Sequence, residues 1–323
     1  MAKFIGRRVE AALAFETSRG VGKTPAISLG KIDFSIADKV DENRIEESFG
    51  HIADSFDKVV AEKYASGTMS GDLGANSASY LLGLALGSAP ANGSTTDGVT
   101  AHTIALANTN QHKSGALLVK DGNETKMFKL LMLENFQLSV TLDGLVKWSA
   151  DFISKAGVTS TASMPAYAED YKFTRTKAKV KVAADVASLA AATRLSLKQF
   201  ELNISKNLMR DGSIGTAEPE DILNRQFSLE GNMRLNYTDQ TFKGYMMGGT
   251  KKALEIVLTS AKLIGSAAYG TLTIQLPKVD FFSWEPDASI DDVVTQQINY
   301  KANYDLTNGI IQTCTVGNAI ATI

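Results

Sequence analysis

A single cysteine, Cys314, is all the chain has. No internal disulfide can form, and this fits folding in a reducing cytoplasm. Prolines are scarce, six against 26 glycines. No apolar run reaches the eighteen or so residues of a membrane span. The N-terminal "MAKFIGRRVEAALAFE" has basic residues but no apolar core with a small-residue cleavage site, so it does not read as a secretory signal. Neither sign of charge dominates: 33 Lys and Arg face 35 Asp and Glu, a net charge of -2. A chain built to grip nucleic acid shows a basic excess, and none is visible. What the chain does have is 44% hydrophobic residues over 323 positions, enough for one large domain or two of ordinary size.

The usual signatures of chemistry are missing too. "SRGVGKTP" (18–25) ends like a phosphate-binding loop, but the earlier glycine such a loop needs is replaced by Thr17. Pro25 and a strand pattern follow instead of a helix, so the stretch reads as a glycine-rich turn between two strands. The three histidines, His51, His102 and His112, have no nucleophile elbow beside them, and Cys314 reads as a small packed residue. No zinc or calcium spacing occurs, and the carboxylates of "VDENRIEES" and "AEPEDIL" match no ligand set. Asp54 with Asp57, and Asp291 with Asp292, have no cleft that would make them acid–base pairs. The sequence therefore implies no catalytic residue, no metal and no cofactor. Trp148 and Trp284 read as core or subunit-contact residues.

The chain repeats itself. "SLGKIDFSIADKV" (28–40) aligns with "SLKQFELNISKNL" (196–208), matching Ser28 with Ser196, Leu29 with Leu197 and Ile36 with Ile204. Ile32, Phe34 and Ile36 alternate with polar residues, as do Phe200, Leu202 and Ile204, the period of a half-buried strand. "VEAALAFE" (9–16) aligns with "KAKVKVAA" (177–184), and "SGTMSGDL" (66–73) with "EGNMRLNY" (230–237). A short helix is expected after each copy of the last pair. The first covers 76–87, capped by Asn76 or Ser77 and stopped by Gly87. The second covers 238–249, capped by Thr238 or Asp239 and stopped by Gly248–Gly249. Strands return at 128–140 and 272–282, then at 145–154 and 293–304. The first copy carries an extra segment, 88–126, with a short strand "HTIALAN" inside it. Two domains follow from this, 1–170 and 171–323.

Each copy also has a long polar interruption, 38–58 and 206–225. Segments of this kind are docking arms or solvated hairpin extensions, and the sequence leaves both open.

Taken in order, "GRRVEAALAFETSRGVGKTP", "GKIDFSIADKVDENRIEESFG", "YASGTMSGDLGANSASYLLGLALGS" and "AHTIALANTN" through "LVKWSADF" resemble the tail tube proteins (major tail proteins) of long-tailed bacteriophages. The resemblance covers most of the chain. It implies a mainly β fold: two tandem β-sandwich domains, each with a short flanking α-helix, whose strands join a β-barrel between subunits. It implies a structural virion protein, not an enzyme, that self-assembles into stacked rings. DNA would pass through the hollow tube into the host without specific binding. Two domains per chain imply a trimeric, pseudo-hexameric ring, with a true hexamer as the alternative. Further partners would be the tape measure protein and the tail terminator or tail-tip proteins, with assembly in the host cytoplasm and no membrane. Candidate inter-ring arm residues are Asp41, Glu42, Arg44, Glu46 and Phe49 in the first arm, and Met209, Arg210, Glu218, Glu220 and Ile222 in the second. Asp33, Ser35, Glu201 and Asn203 are candidate positions facing the lumen or a neighbouring subunit. The competing reading is a two-domain β-sandwich binding module of a tail tip, fibre or cell surface.

Overall fold

The computed structural model describes residues 5–30, 32–48, 50–288, 290 and 293–323. The chain opens with β1 (Glu10–Phe15), β2 (Ile27–Leu29), β3 (Ile32–Ile45) and β4 (Asp57–Asp72). Helix α1 (Ala75–Leu86) leads to β5 (Ala91–Thr96), β6 (Val99–Ile104), β7 (Gly115–Lys120), β8 (Thr125–Val140), β9 (Lys147–Ser154) and the short β10 (Val158–Thr159). Then come β11 (Lys179–Ala183), β12 (Leu197–Asp211), β13 (Asp221–Asn236), helix α2 (Thr241–Met247), β14 (Lys252–Leu263), β15 (Tyr269–Asp287), β16 (Thr295–Ala302) and β17 (Thr313–Asn318). The fold is mainly β, as expected from the alternating patterns, and its ladders are antiparallel.

Eight strands form one broad sheet in the order β3–β4–β9–β8–β12–β13–β16–β15. Behind it lie β2–β1–β7 and, further along, β11–β14 with β17–β6–β5. Strands β8 and β15 belong to both layers: their first halves pair with the back strands and their second halves with the broad sheet. β8 turns between layers at Leu130, whose φ is 54°. The buried Glu16 carboxylate accepts the Leu130 N–H at 3.0 Å, the Gly20 N–H at 2.8 Å and the Ser114 hydroxyl at 2.6 Å, which holds that bend. The core lies between the layers, with Phe136, Trp148, Phe152, Phe200, Met233 and Tyr300 packed from the broad sheet.

The broad sheet is not closed. Among the described residues β3 pairs only with β4, and residues 280–287 of β15 pair only with β16.

The two halves show the same pairing order. In the first, Gly67 lies between Ile36 and Phe152; in the second, Gly231 lies between Leu202 and Tyr300. Each half has a bulge at the same place, between Leu133 and Asn135 and between Phe281 and Ser283. The ladder thus puts Leu202, not Ile204, in the position of Ile36, two residues from the sequence alignment. A slip of two leaves every side chain on its own face, so alternation cannot detect it. The pattern also misses β7 and β14. Their apolar runs, "GALLV" and "ALEIVL", are buried on both faces and do not alternate.

Helix α1 starts at Ala75, one residue before the expected cap. Its N-terminal amides are met by a distant side chain: Asp170 accepts the N–H groups of Asn76 at 2.9 Å and Ser77 at 3.2 Å. Gly87, with φ of 75°, ends it as expected. All twelve residues of α1 are buried where the two halves meet. Helix α2 is shorter, with Asp239 accepting the Thr241 N–H at 2.9 Å. It rests on Phe281 through Phe242 and Tyr245.

Candidate assembly surfaces

The face of the broad sheet turned away from the core is polar from edge to edge. Across it run Asp33 and Ser35; Thr68 and Ser70; Ser149 and Asp151; Gln137 and Ser139; Glu201 and Asn203; Glu230 and Asn232; Gln297 and Asn299; Glu285 and Asp287. The alternation that turns Phe34, Phe200 or Ile298 toward the core necessarily puts these side chains on the other side. Asp33, Ser35, Glu201 and Asn203 therefore share one face, and the strands between them supply the rest of it.

The face is held by its own bonds. Asn232 donates to Glu201 at 2.7 Å, Asn135 to Asp151 at 3.0 Å and Ser205 to Asn135 at 2.9 Å. Lys301 bonds Glu230 at 2.6 Å, which lowers the pKa of that carboxyl. Glu134, at the bulge, goes the other way: burial, with Asp151 nearby, raises it. Asp33, Glu134, Asp151, Glu201, Glu230, Glu285 and Asp287 outnumber Lys147, Arg234 and Lys301, so the face is net acidic.

The polar interruptions take the hairpin form that the sequence left open. They are hairpins that extend past the broad sheet, paired along most of their length. β3 stays paired with β4 as far as Ile45 opposite Asp57, leaving 46–56 as the tip. β12 stays paired with β13 to Asp211 opposite Asp221, leaving 212–220.

Both hairpins project from the same end and touch. Arg210 forms ion pairs with Asp41 at 3.1 Å and Glu62 at 3.4 Å and stacks over the Tyr64 ring. The Lys63 N–H donates to the Ala217 carbonyl at 2.6 Å. Glu42 pairs with Lys58 at 2.7 Å, while Arg44 and Glu46 are exposed near the first tip. Met209 is partly exposed beside the second arm's base. Glu220 accepts from Ser213 at 2.6 Å, and Glu218 is exposed on the tip. Phe49 lies outside the described residues, as do Asp291 and Asp292. Ile222 does not reach outward. It is fully buried with Leu130, Met132 and Leu208, and it anchors the second arm at its base.

That base contains residues that no sequence pattern singles out. Arg19, from "SRGVGKTP", makes an ion pair with Asp221 and donates to the carbonyls of Ile222 (2.7 Å) and His112. The stretch is a turn between β1 and β2, and its arginine clamps the second arm. Lys206 is buried and donates to the Leu84 carbonyl near the end of α1 at 2.6 Å. Burial, with Arg19 nearby, pushes its ammonium down to about 7. His112 is pushed down to about 4, first by burial and then by Lys206. Cys314 is buried in β17, and burial raises its thiol to about 12, far from a reactive thiolate.

No curated protein matches the chain. The model of the family described as phage tail tube protein matches residues 6–302. An open polar-faced sheet, paired arms and that match agree: the chain belongs to the phage tail tube protein family and is a structural protein of the virion tail.

Proposed function

We propose that three copies of this chain close into a ring, that rings stack into a tube, and that DNA leaves the virion through it. The observation that carries this is the seam inside the chain, where β8 pairs with β12. The two halves, 1–170 and 171–323, are copies of one unit. Their four-stranded portions are β3–β4–β9–β8 and β12–β13–β16–β15. The extra segment of the first unit is narrower than 88–126, because β7 corresponds to β14 and only β5–β6 is added. Within the chain the last strand of one portion joins the first strand of the next. The same join between chains puts β15 of one copy against β3 of another.

The inner seam pairs Phe200 with Val140 and Glu201 with Ser139. Carried over by the Gly67/Gly231 and bulge equivalences, it pairs Phe34 with Ala288, Ser35 with Asp287 and Ile36 with Pro286 across chains. Pro286 has no N–H, so one ladder bond is lost there. Six such portions give a barrel of about 24 strands with no open edge. Its polar, net acidic face lines the lumen. A wall of like charge to the phosphates lets DNA slide instead of binding. The tape measure protein and the terminator or tip proteins would meet the inside and the ends of the tube, and assembly would take place in the host cytoplasm.

Electron microscopy of the purified chain tests this. Top views should show a ring of threefold order with six similar lobes. A Ser35→Cys/Asp287→Cys chain should form interchain disulfides under mild oxidation. Rings of six chains would replace the trimer with a hexamer. Bilobed single particles at every concentration, with no cross-link, would refute ring closure.

A further inference from the structure

At the foot of the broad sheet, opposite the arms, the gap between β12 and the β11–β14 layer opens into a cavity of ≈ 320 Å³. Leu197, Phe200 and Leu258 form its apolar wall, and Arg175, Arg194 and Lys198 stand around its mouth. Among the described residues no carboxylate pairs with these three cations. Asp143, in the turn after β8, accepts from Thr141 at 3.2 Å and pairs with Lys147 at 3.7 Å. The stretch "KFTRTKAKVK" (172–181) beside the cavity holds five basic residues and no acidic one.

The second arm has the opposite character. Its tip, 212–220, carries Ile214 fully exposed to solvent. The tip holds Glu218 and Glu220 and no Lys or Arg, with Asp211 at its edge. An apolar side chain held out in water at an acidic tip matches an apolar cavity with a basic mouth. The chain cannot fill its own cavity. β12 has 15 residues, and its two ends are about 45 Å apart at roughly 3.3 Å per residue. The cavity is at one end and the tip at the other.

We propose that the cavity receives Ile214 of another copy stacked head to tail, with Glu218 and Glu220 meeting Arg175 and Arg194. This rests on the ring-and-tube reading above and adds the contact between rings. A heterologous contact of this kind repeats without limit along an axis, which a tube requires. The first tip also exposes an isoleucine, Ile52, among carboxylates, but the exposed Arg44 stands at its edge, whereas Arg210 at the edge of the second tip is neutralised by Asp41 and Glu62.

The test uses the full chain with Ile214→Cys and Leu142→Cys, the latter at the exposed mouth of the cavity. Mild oxidation should give a ladder of covalent multimers on a non-reducing gel, and neither single variant should. Arg175→Glu/Arg194→Glu should raise the concentration needed for tubes at least tenfold while leaving single rings in micrographs. Adding Glu218→Arg/Glu220→Arg should restore tubes. Tubes at the wild-type concentration in the double-glutamate variant, with no ladder, would overturn the docking while the ring stands. A ladder from Ile52→Cys/Leu142→Cys instead would put the first arm in the cavity and overturn this assignment. Absence of rings in the wild type would remove the reading beneath it.

Discussion

Replacing Lys206 with methionine should change how stability depends on pH, and the size of the change follows from its burial. The ammonium is enclosed and titrates at about 7 in the folded chain, against 10.5 for a free lysine. Below about pH 7 both folded and unfolded chains hold the proton, and the folded state bears the whole cost of the buried charge. Above that, the folded chain releases the proton while the unfolded chain keeps it up to its own pKa. The unfolded state then binds more protons, so this group makes stability rise with pH. At about 1.4 kcal/mol per unit, the gain between about pH 5.5 and pH 9 is about 2.7 kcal/mol. Lys206→Met has no proton to exchange and lacks that rise. Its loss of the bond to the Leu84 carbonyl, about 1 kcal/mol, applies at both pH values and cancels in the comparison. Urea unfolding of both chains, dilute enough to prevent assembly, measures the difference. The variant should lose about 2.7 kcal/mol relative to wild type between the two pH values. Parallel pH profiles would refute the reasoning, because a lysine that stays charged throughout is not desolvated as the structure has it.

Other expectations follow from single contacts. Gly231→Ala drives a methyl into the Glu201 carbonyl oxygen, fixed by the ladder, and into the buried Tyr300 hydroxyl, held by its 2.9 Å bond to that oxygen. It should lower the unfolding free energy by more than about 2 kcal/mol. Gly212→Ala, which meets no atom within 4 Å, should leave it unchanged in the same titration. Arg19→Ala leaves the Asp221 carboxylate, with a side chain 15% exposed, without its cation. A loss of about 3 kcal/mol is expected. Hydrogen exchange should also quicken across residues 207–224 more than in α1, and uniform quickening would argue against a local clamp.

The sequence by itself determined the strands of the broad sheet and both of their faces. Ile32, Phe34 and Ile36, or Phe200, Leu202 and Ile204, can only point one way once one side is buried, so the polar face was legible from Asp33, Ser35, Glu201 and Asn203. It also determined the Gly87 stop, because only the left-handed region ends that helix and glycine enters it freely. Tertiary structure decided what depends on contacts between distant residues. A two-residue slip keeps every face, so only the ladder could place Leu202 opposite Gly231. β7 and β14 are covered on both sides, and runs of that kind carry no period. Asp170 caps a helix more than ninety residues before it, and Arg19 holds an arm from the other half of the chain. Polar tracts left docking arm and solvated hairpin both open, and backbone pairing, which does not need buried side chains, makes both of them extended hairpins. Whether Lys206 is charged depends on which atoms surround it, and its sequence neighbours Ser205 and Asn207 do not supply them.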